Sequence, residues 1–172
     1  LSEMNGDTMY FHQAMRQDDS ADFVEAVVKE INGHVENKHW ELIPAHDVPD
    51  GEEVLPSVWS MRRKRNLVTN KITKYKARIN VHGGKQTLGV NYFDTYAPVV
   101  TWFAIRLLII IAMVLSWQLR QVDFIMAYPQ APIECDMYLK ITDGCETDQG
   151  SNETHILKLL KNVFGQKQSG RV

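Results

Sequence analysis

Cysteine is scarce, with Cys135 and Cys145 the only two in 172 residues. Two thiols are too few for a disulfide framework or a four-ligand zinc site, and the six histidines show no His-x-x-x-His spacing beside a Cys pair. A reducing, intracellular compartment fits this usage better than a secreted one. Long apolar runs are missing too. The longest, Leu107 to Leu115, has nine residues, against the ~20 needed to span a bilayer. No charged-then-apolar segment opens the chain as a signal peptide would, so the Asn152-Glu153-Thr154 triplet reads as a chance glycosylation match. The Gly83-Gly84 pair lacks both the Walker and the dinucleotide pattern, and neither Gly-x-Ser-x-Gly nor a Cys/His nucleophile arrangement occurs. No internal repeat or low-complexity tract is present.

The most informative absence is of one sign of charge. Between Val54 and Phe93 there is no Asp or Glu at all, against nine Lys and Arg. Thirteen acids and three bases precede that segment, and eight acids and seven bases follow it, so the net charge of −2 conceals a strong division. Forty residues without an acid, including the run Arg62-Arg63-Lys64-Arg65, make a candidate nucleic-acid-binding surface, where neutralising phosphates releases counterions. The alternative is a solvated hairpin whose positive face docks on the acidic N-terminal segment. Charge counting leaves both open.

The whole chain is 44% hydrophobic, enough to bury the core of one globular unit. The chain begins with Leu1 and stops just after an apolar run with no terminating signal, which reads as a piece of something longer. Ser20 or Asp22 can cap a helix in which Phe23, Val27, Val28 and Ile31 recur at helical spacing, ending near Gly33. Trp40 to Pro44 predicts a short extended piece. Val54–Arg65 and Ile72–Val81 predict a hairpin across the polar turn Asn66 to Lys71. In its second strand Tyr75, Ala77, Ile79 and Val81 alternate with Lys76, Arg78 and Asn80, which puts Lys76 and Arg78 on one face about 7 Å apart. Such a pair can clasp a phosphate chain, or protect a solvent-facing strand edge. Tyr92, Phe93 and Tyr96 lie in a loop and can pack or stack on bases. Thr101 predicts the cap of a buried helix from Trp102 to about Ser116. Short strands are expected over Asp136–Ile141 and His155–Leu160.

Between those elements, Trp117 to Phe124 reads as a strand with Asp123 at its C-terminal end. A lone carboxylate there is either a metal ligand, a base or the partner of a cation, or else the cap of a turn.

Four blocks of the sequence bear on that choice. Tyr75-Lys76-Ala77-Arg78 with Gly84 beyond it comes first, then Tyr96-Ala97-Pro98-Val99 followed by Ile105-Arg106-Leu107-Leu108. Gln121-Val122-Asp123 with Ala127-Tyr128 is third, and Leu157 to Leu160 leading into Phe164-Gly165-Gln166-Lys167-Gln168 is fourth. In this order and spacing they resemble the reverse transcriptase domain of copia-type retrotransposons, from about His39 to Val172. The resemblance implies an α+β fold: the fingers and partial palm of a right-hand polymerase, an antiparallel sheet flanked by helices, truncated. Residues 1–38 would be a lead-in with a helix and 39–172 a partial polymerase domain, with a basic fingers hairpin at about 54–93 and a partial palm at about 94–172.

The function so implied is RNA-directed DNA synthesis by two-metal nucleotidyl transfer in the complete enzyme. Asp123 matches the first catalytic aspartate and would bind Mg²⁺, with the carbonyl of Phe124 as a further ligand. Lys76 and Arg78 match positions facing the incoming deoxynucleoside triphosphate, Tyr128 the ring under its sugar, and Gln168 a glutamine near the templating pair. An RNA template, a DNA primer and the remaining polyprotein segments are the implied partners. Departures occur at Gln166, Pro129-Gln130-Ala131 and Thr142, and they bear on turn geometry. The aromatic-x-Asp-Asp block that supplies two more carboxylates does not occur in the 172 residues. Mg²⁺ held by one carboxylate stays largely hydrated and weakly bound, so the chain alone is expected to be inactive. The alternative is a non-catalytic nucleic-acid-binding relic or co-opted module.

Overall fold

A computed structural model describes residues 6–122, 127, 131–145 and 154–170. Two small sheets organise them. The first is antiparallel, in the order β1 (Thr8–Met9), β4 (Ser57–Arg65), β5 (Ile72–Val81). The second is mixed, in the order β2 (Trp40–Pro44), β7 (His155–Leu159), β6 (Tyr138–Leu139), β3 (Val54–Leu55), with β3 and β6 parallel. The helices are α1 (Phe11–Ala14), α2 (Ser20–Glu36) and α3 (Trp102–Val114). This is an α+β arrangement, and its second sheet departs from the purely antiparallel expectation.

The predicted hairpin forms, with Pro56 separating β3 from β4 because proline cannot donate to a ladder. Its inner face carries Trp59 and Met61 from β4 and Ala77 and Ile79 from β5, all buried, and α2 lays Phe23 and Val27 across them. The Phe23 ring meets Tyr75 edge-on at 4.9 Å between centroids. The acidic lead-in therefore shares one core with the basic hairpin, and β1 adds Met9 to it.

Helix α2 runs past Gly33 to Glu36, where Lys38, at φ 51°, turns the chain out of the helix. The extra turn buries His34, whose ring stacks on Trp40 at 4.4 Å. Its N-cap position is Asp19 rather than Ser20 or Asp22, and the Asp19 carboxylate bonds Arg63 instead of capping. A second core gathers Leu55, Val81, Met137, Leu139, Ile141, Leu157, Leu159 and Val163, and Trp40 packs against both.

Two expectations need correction. Helix α3 has the predicted Thr101 cap, whose hydroxyl accepts from the Ala104 amide, but only Ala112 of its residues is buried. An all-apolar run reports a demand for cover, and the described residues do not supply it. Trp117–Val122 form no strand, because Ser116 enters the left-handed region at φ 54° and the Trp117 amide closes back on the Ala112 carbonyl at 2.8 Å. No helix among the described residues is long and apolar enough to cross a membrane.

At the C-terminal end of α2 two buried imidazoles meet, His34 Nδ1 and His39 Nδ1 lying 2.8 Å apart. One ring must donate and the other accept, so a proton added at this contact sets two donors face to face. Burial chiefly, then His34 and Lys161, lower the His39 pKa from 6.5 to about 4, with Glu30 opposing. The unfolded chain binds that proton first, so this contribution is intact above about pH 6.5 and is lost progressively as pH falls towards 4. Urea denaturation at several pH values should show the midpoint dropping across this window, and His39→Asn should flatten the drop.

Candidate nucleic-acid interface

Strand alternation gives the hairpin two chemically different faces. On the outer one, Ser60, Arg62 and Lys64 of β4 stand opposite Arg78, Lys76 and Lys74 of β5 in register. Five cations are thus set in rows, with Thr8 of β1 beside Arg62. Thr8, Ser60, Arg62, Lys64, Lys76 and Arg78 line a depression of ≈ 200 Å³ that includes no acid. Like charges this close repel one another. The Lys76 pKa is lowered, first by burial and then by Arg78, Lys64 and Lys74, with Glu30 acting the other way. A bound polyanion would offset the like-charge part of this.

The inner cations have a different fate. Arg63 forks onto Asp19, with Nε donating to Oδ2 at 2.7 Å and Nη2 to Oδ1 at 2.6 Å, and lies over the Phe23 ring at 5.3 Å. The fork holds the Asp19 carboxyl down at about 2. Arg65 donates from Nε to Asp7 at 2.8 Å and from Nη1 to the Asn70 carbonyl at 3.0 Å. Of the run 62–65, then, Arg62 and Lys64 face outward while Arg63 and Arg65 anchor the lead-in. The docking of the basic segment on the acidic lead-in therefore holds at Arg63 and Arg65, and Arg62 and Lys64 are left as exposed cations on the other face.

The fourth motif block crosses β5. The Val81 amide donates to the Phe164 carbonyl at 2.8 Å, and the Arg78 guanidinium lies 4.7 Å above the Phe164 ring. Gln168 is buried and does not join the cation face. Its Oε1 accepts from Gln86 Nε2 at 3.0 Å and its Nε2 donates to the Asn91 carbonyl at 3.3 Å. Gln86 Oε1 also accepts from the Lys167 amide at 2.8 Å, and Lys167 Nζ lies 4.6 Å above the Tyr92 ring. Asp123, Phe124 and Tyr128 lie outside the described residues. Among the described residues, no three His, Cys, Asp or Glu come together in a way that could hold a metal ion.

Sequence reasoning missed Lys74, although the alternation that picked out Lys76 and Arg78 extends to it. Ser60 and Thr8 carried no local signal, since they join the face only through strand register. Gln86 was missed because its partner is 82 residues away.

Residues 37–172 match the family model described as reverse transcriptase (RNA-dependent DNA polymerase). The chain belongs to the reverse transcriptase family. It is similar to the Retrovirus-related Pol polyprotein from transposon RE1 of Arabidopsis thaliana, 30% identical over 85% of this chain and 10% of that protein. The transposon RE2 polyprotein of the same plant is 29% identical over 92% of the chain and 10% of its own length. The corresponding polyprotein of transposon TNT 1-94 of Nicotiana tabacum is 26% identical over 86% of the chain and 11% of its own length. This reverse transcriptase segment thus spans about a tenth of the curated relatives it matches. No solved structure matches it.

The two faces of the hairpin predict opposite behaviour. Arg63→Ala strips the Asp19 carboxylate of its fork and should cost about 1.5–3 kcal/mol in denaturant unfolding, the usual worth of charged hydrogen bonds. Arg62→Ala, on the outer face, should stay within about 0.5 kcal/mol.

Proposed function

We propose that this chain is the fingers and part of the palm of a copia-type retrotransposon reverse transcriptase, and that its outer hairpin face holds phosphates. The observation that carries this is the five-cation face, Arg62, Lys64, Lys74, Lys76 and Arg78, whose central depression includes no acid. Arg supplies a bidentate fork to phosphate oxygens and Lys a point charge, so the face suits the triphosphate of an incoming nucleotide or the backbone of a template. In this reading residues 1–38 act as a brace for the fingers hairpin rather than a separate unit, and residues 39–172 form the partial polymerase domain.

In the complete polyprotein Asp123 and the Phe124 carbonyl would hold Mg²⁺, which would supply Lewis-acid stabilisation of charge on a primer 3′-hydroxyl and on leaving pyrophosphate. Tyr128 would lie under the nucleotide sugar. Gln168 enters as the anchor of its segment, because its amide is occupied by Gln86 and Asn91. RNA template, DNA primer and deoxynucleoside triphosphates are the partners, inside the cell.

A second reading is favoured by one feature of the sequence. The cation face is whole, yet the aromatic-x-Asp-Asp block is absent from these 172 residues. The chain by itself then binds nucleic acid without extending a primer.

Two measurements test these readings. In a titration of single-stranded RNA against salt, affinity should fall steeply, and Lys76→Gln with Arg78→Gln should flatten the log–log slope by roughly 1.4, at about 0.7 per lost phosphate contact. A slope unchanged by the substitutions would remove the phosphate face. In primer extension with Mg²⁺, the isolated chain should incorporate nothing, and Asp123-dependent incorporation would refute the non-catalytic reading.

A further inference from the structure

The tip of the basic hairpin carries two aliphatic side chains that the core does not use. Leu67 is 102% and Val68 93% exposed, the two most exposed large hydrophobic residues among those described. They are held out by a built turn. Asn66 Oδ1 accepts from the amides of Val68 and Thr69 at 2.9 and 3.0 Å, and the Asn66 amide donates to the Lys71 carbonyl at 2.9 Å. Asn70 takes the left-handed conformation, at φ 54°, that closes such a turn. Arg65 then ties the Asn70 carbonyl to Asp7 of the lead-in. Side chains presented on a turn braced this way lose little further freedom when they insert into a partner.

Behind the tip stand cations. Lys64 and Lys74 pair across the two strands, and Lys71 follows the turn. Leu67 also lines a hollow with Arg62, Lys64 and Arg65 at the root of the turn, where Asp7 is the one acid. An apolar apex on a cationic ribbon fits a polyanion with an apolar interior, and nucleic acid is such a polymer, with phosphates outside and stacked bases within. Aliphatic side chains that enter base steps from a cationic scaffold unstack the bases they part.

We infer that Leu67 and Val68 form a wedge that inserts at the junction of paired and unpaired nucleic acid, while the cation face grips the backbone. This rests on the proposed phosphate role of that face and adds a distinct task to it. The cations supply affinity without regard to base stacking, and the wedge supplies local unstacking.

The test uses the 172-residue chain and a primer–template duplex with 2-aminopurine at the first unpaired template base, read by anisotropy and by 2-aminopurine fluorescence. Binding of the wild-type chain should raise the fluorescence about two-fold or more as the base unstacks. The double variant Leu67→Ser, Val68→Ser should keep its affinity within about three-fold and its salt slope unchanged, yet lose the fluorescence rise. Both side chains touch solvent, so circular dichroism and thermal melting should match wild type. Lys64→Gln with Lys74→Gln should do the reverse, lowering affinity and salt slope. A fluorescence rise that survives the double variant, or wild-type binding with no rise, overturns the wedge and leaves the phosphate face standing. Absence of any binding overturns both. Tip-dependent sedimentation with phosphatidylserine vesicles, without a tip effect on the duplex, would move the partner to a membrane surface and overturn it as well.

Discussion

The fork between Arg63 and Asp19 ties the two oppositely charged parts of the chain together. It joins the C-terminal part of β4 to the N-terminus of α2, and α2 must then lie along the inner face of the hairpin with Phe23 and Val27 over Met61 and Ala77. A charge that would be costly among those apolar side chains is neutralised with good geometry and stacked on Phe23 as well. Once Arg63 is committed inward, period two sends Arg62 and Lys64 outward. One ion pair therefore fixes both the packing of the lead-in and the polarity of the face opposite.

Much of this could be read from the sequence, for reasons that differ by element. β5 announces itself through clean alternation, α2 through the spacing of Phe23 and Val27, and α3 through the Thr101 cap. What could not be read depends on partners distant in sequence. The four consecutive cations 62–65 look equivalent until the register of Arg62 with Lys76 assigns them faces. The parallel pairing of β3 with β6 rests on two residues of each strand, too few to leave a pattern. The Gln86–Gln168 contact has no local signature. Helix α3 shows the opposite failure, since its apolar run is plain in sequence and its cover is a question of what else is present.

The site residues divide along the same line. Alternation alone puts Lys76 and Arg78 on one face, and Lys74 belongs with them by the same rule. Gln168 was found by motif, and motif fixes position in the chain rather than the direction of a side chain. Its burial beside Gln86 and Asn91 makes it a fastener between the loop after β5 and the last segment of the chain.

That fastening has a backbone counterpart at Gly165. Its φ of +88° suits glycine, and a Cβ there would collide with the Val81 carbonyl. Gly83 is closed in the same way by the Gly165 carbonyl. The two bare backbones act as a spacer of zero thickness, which lets the Phe164 ring come up under Arg78. A guanidinium resting on an aromatic plane keeps its charge while its swing is restricted. Gly165, which carries no side chain, therefore sets the height at which one positive charge stands on the outer face.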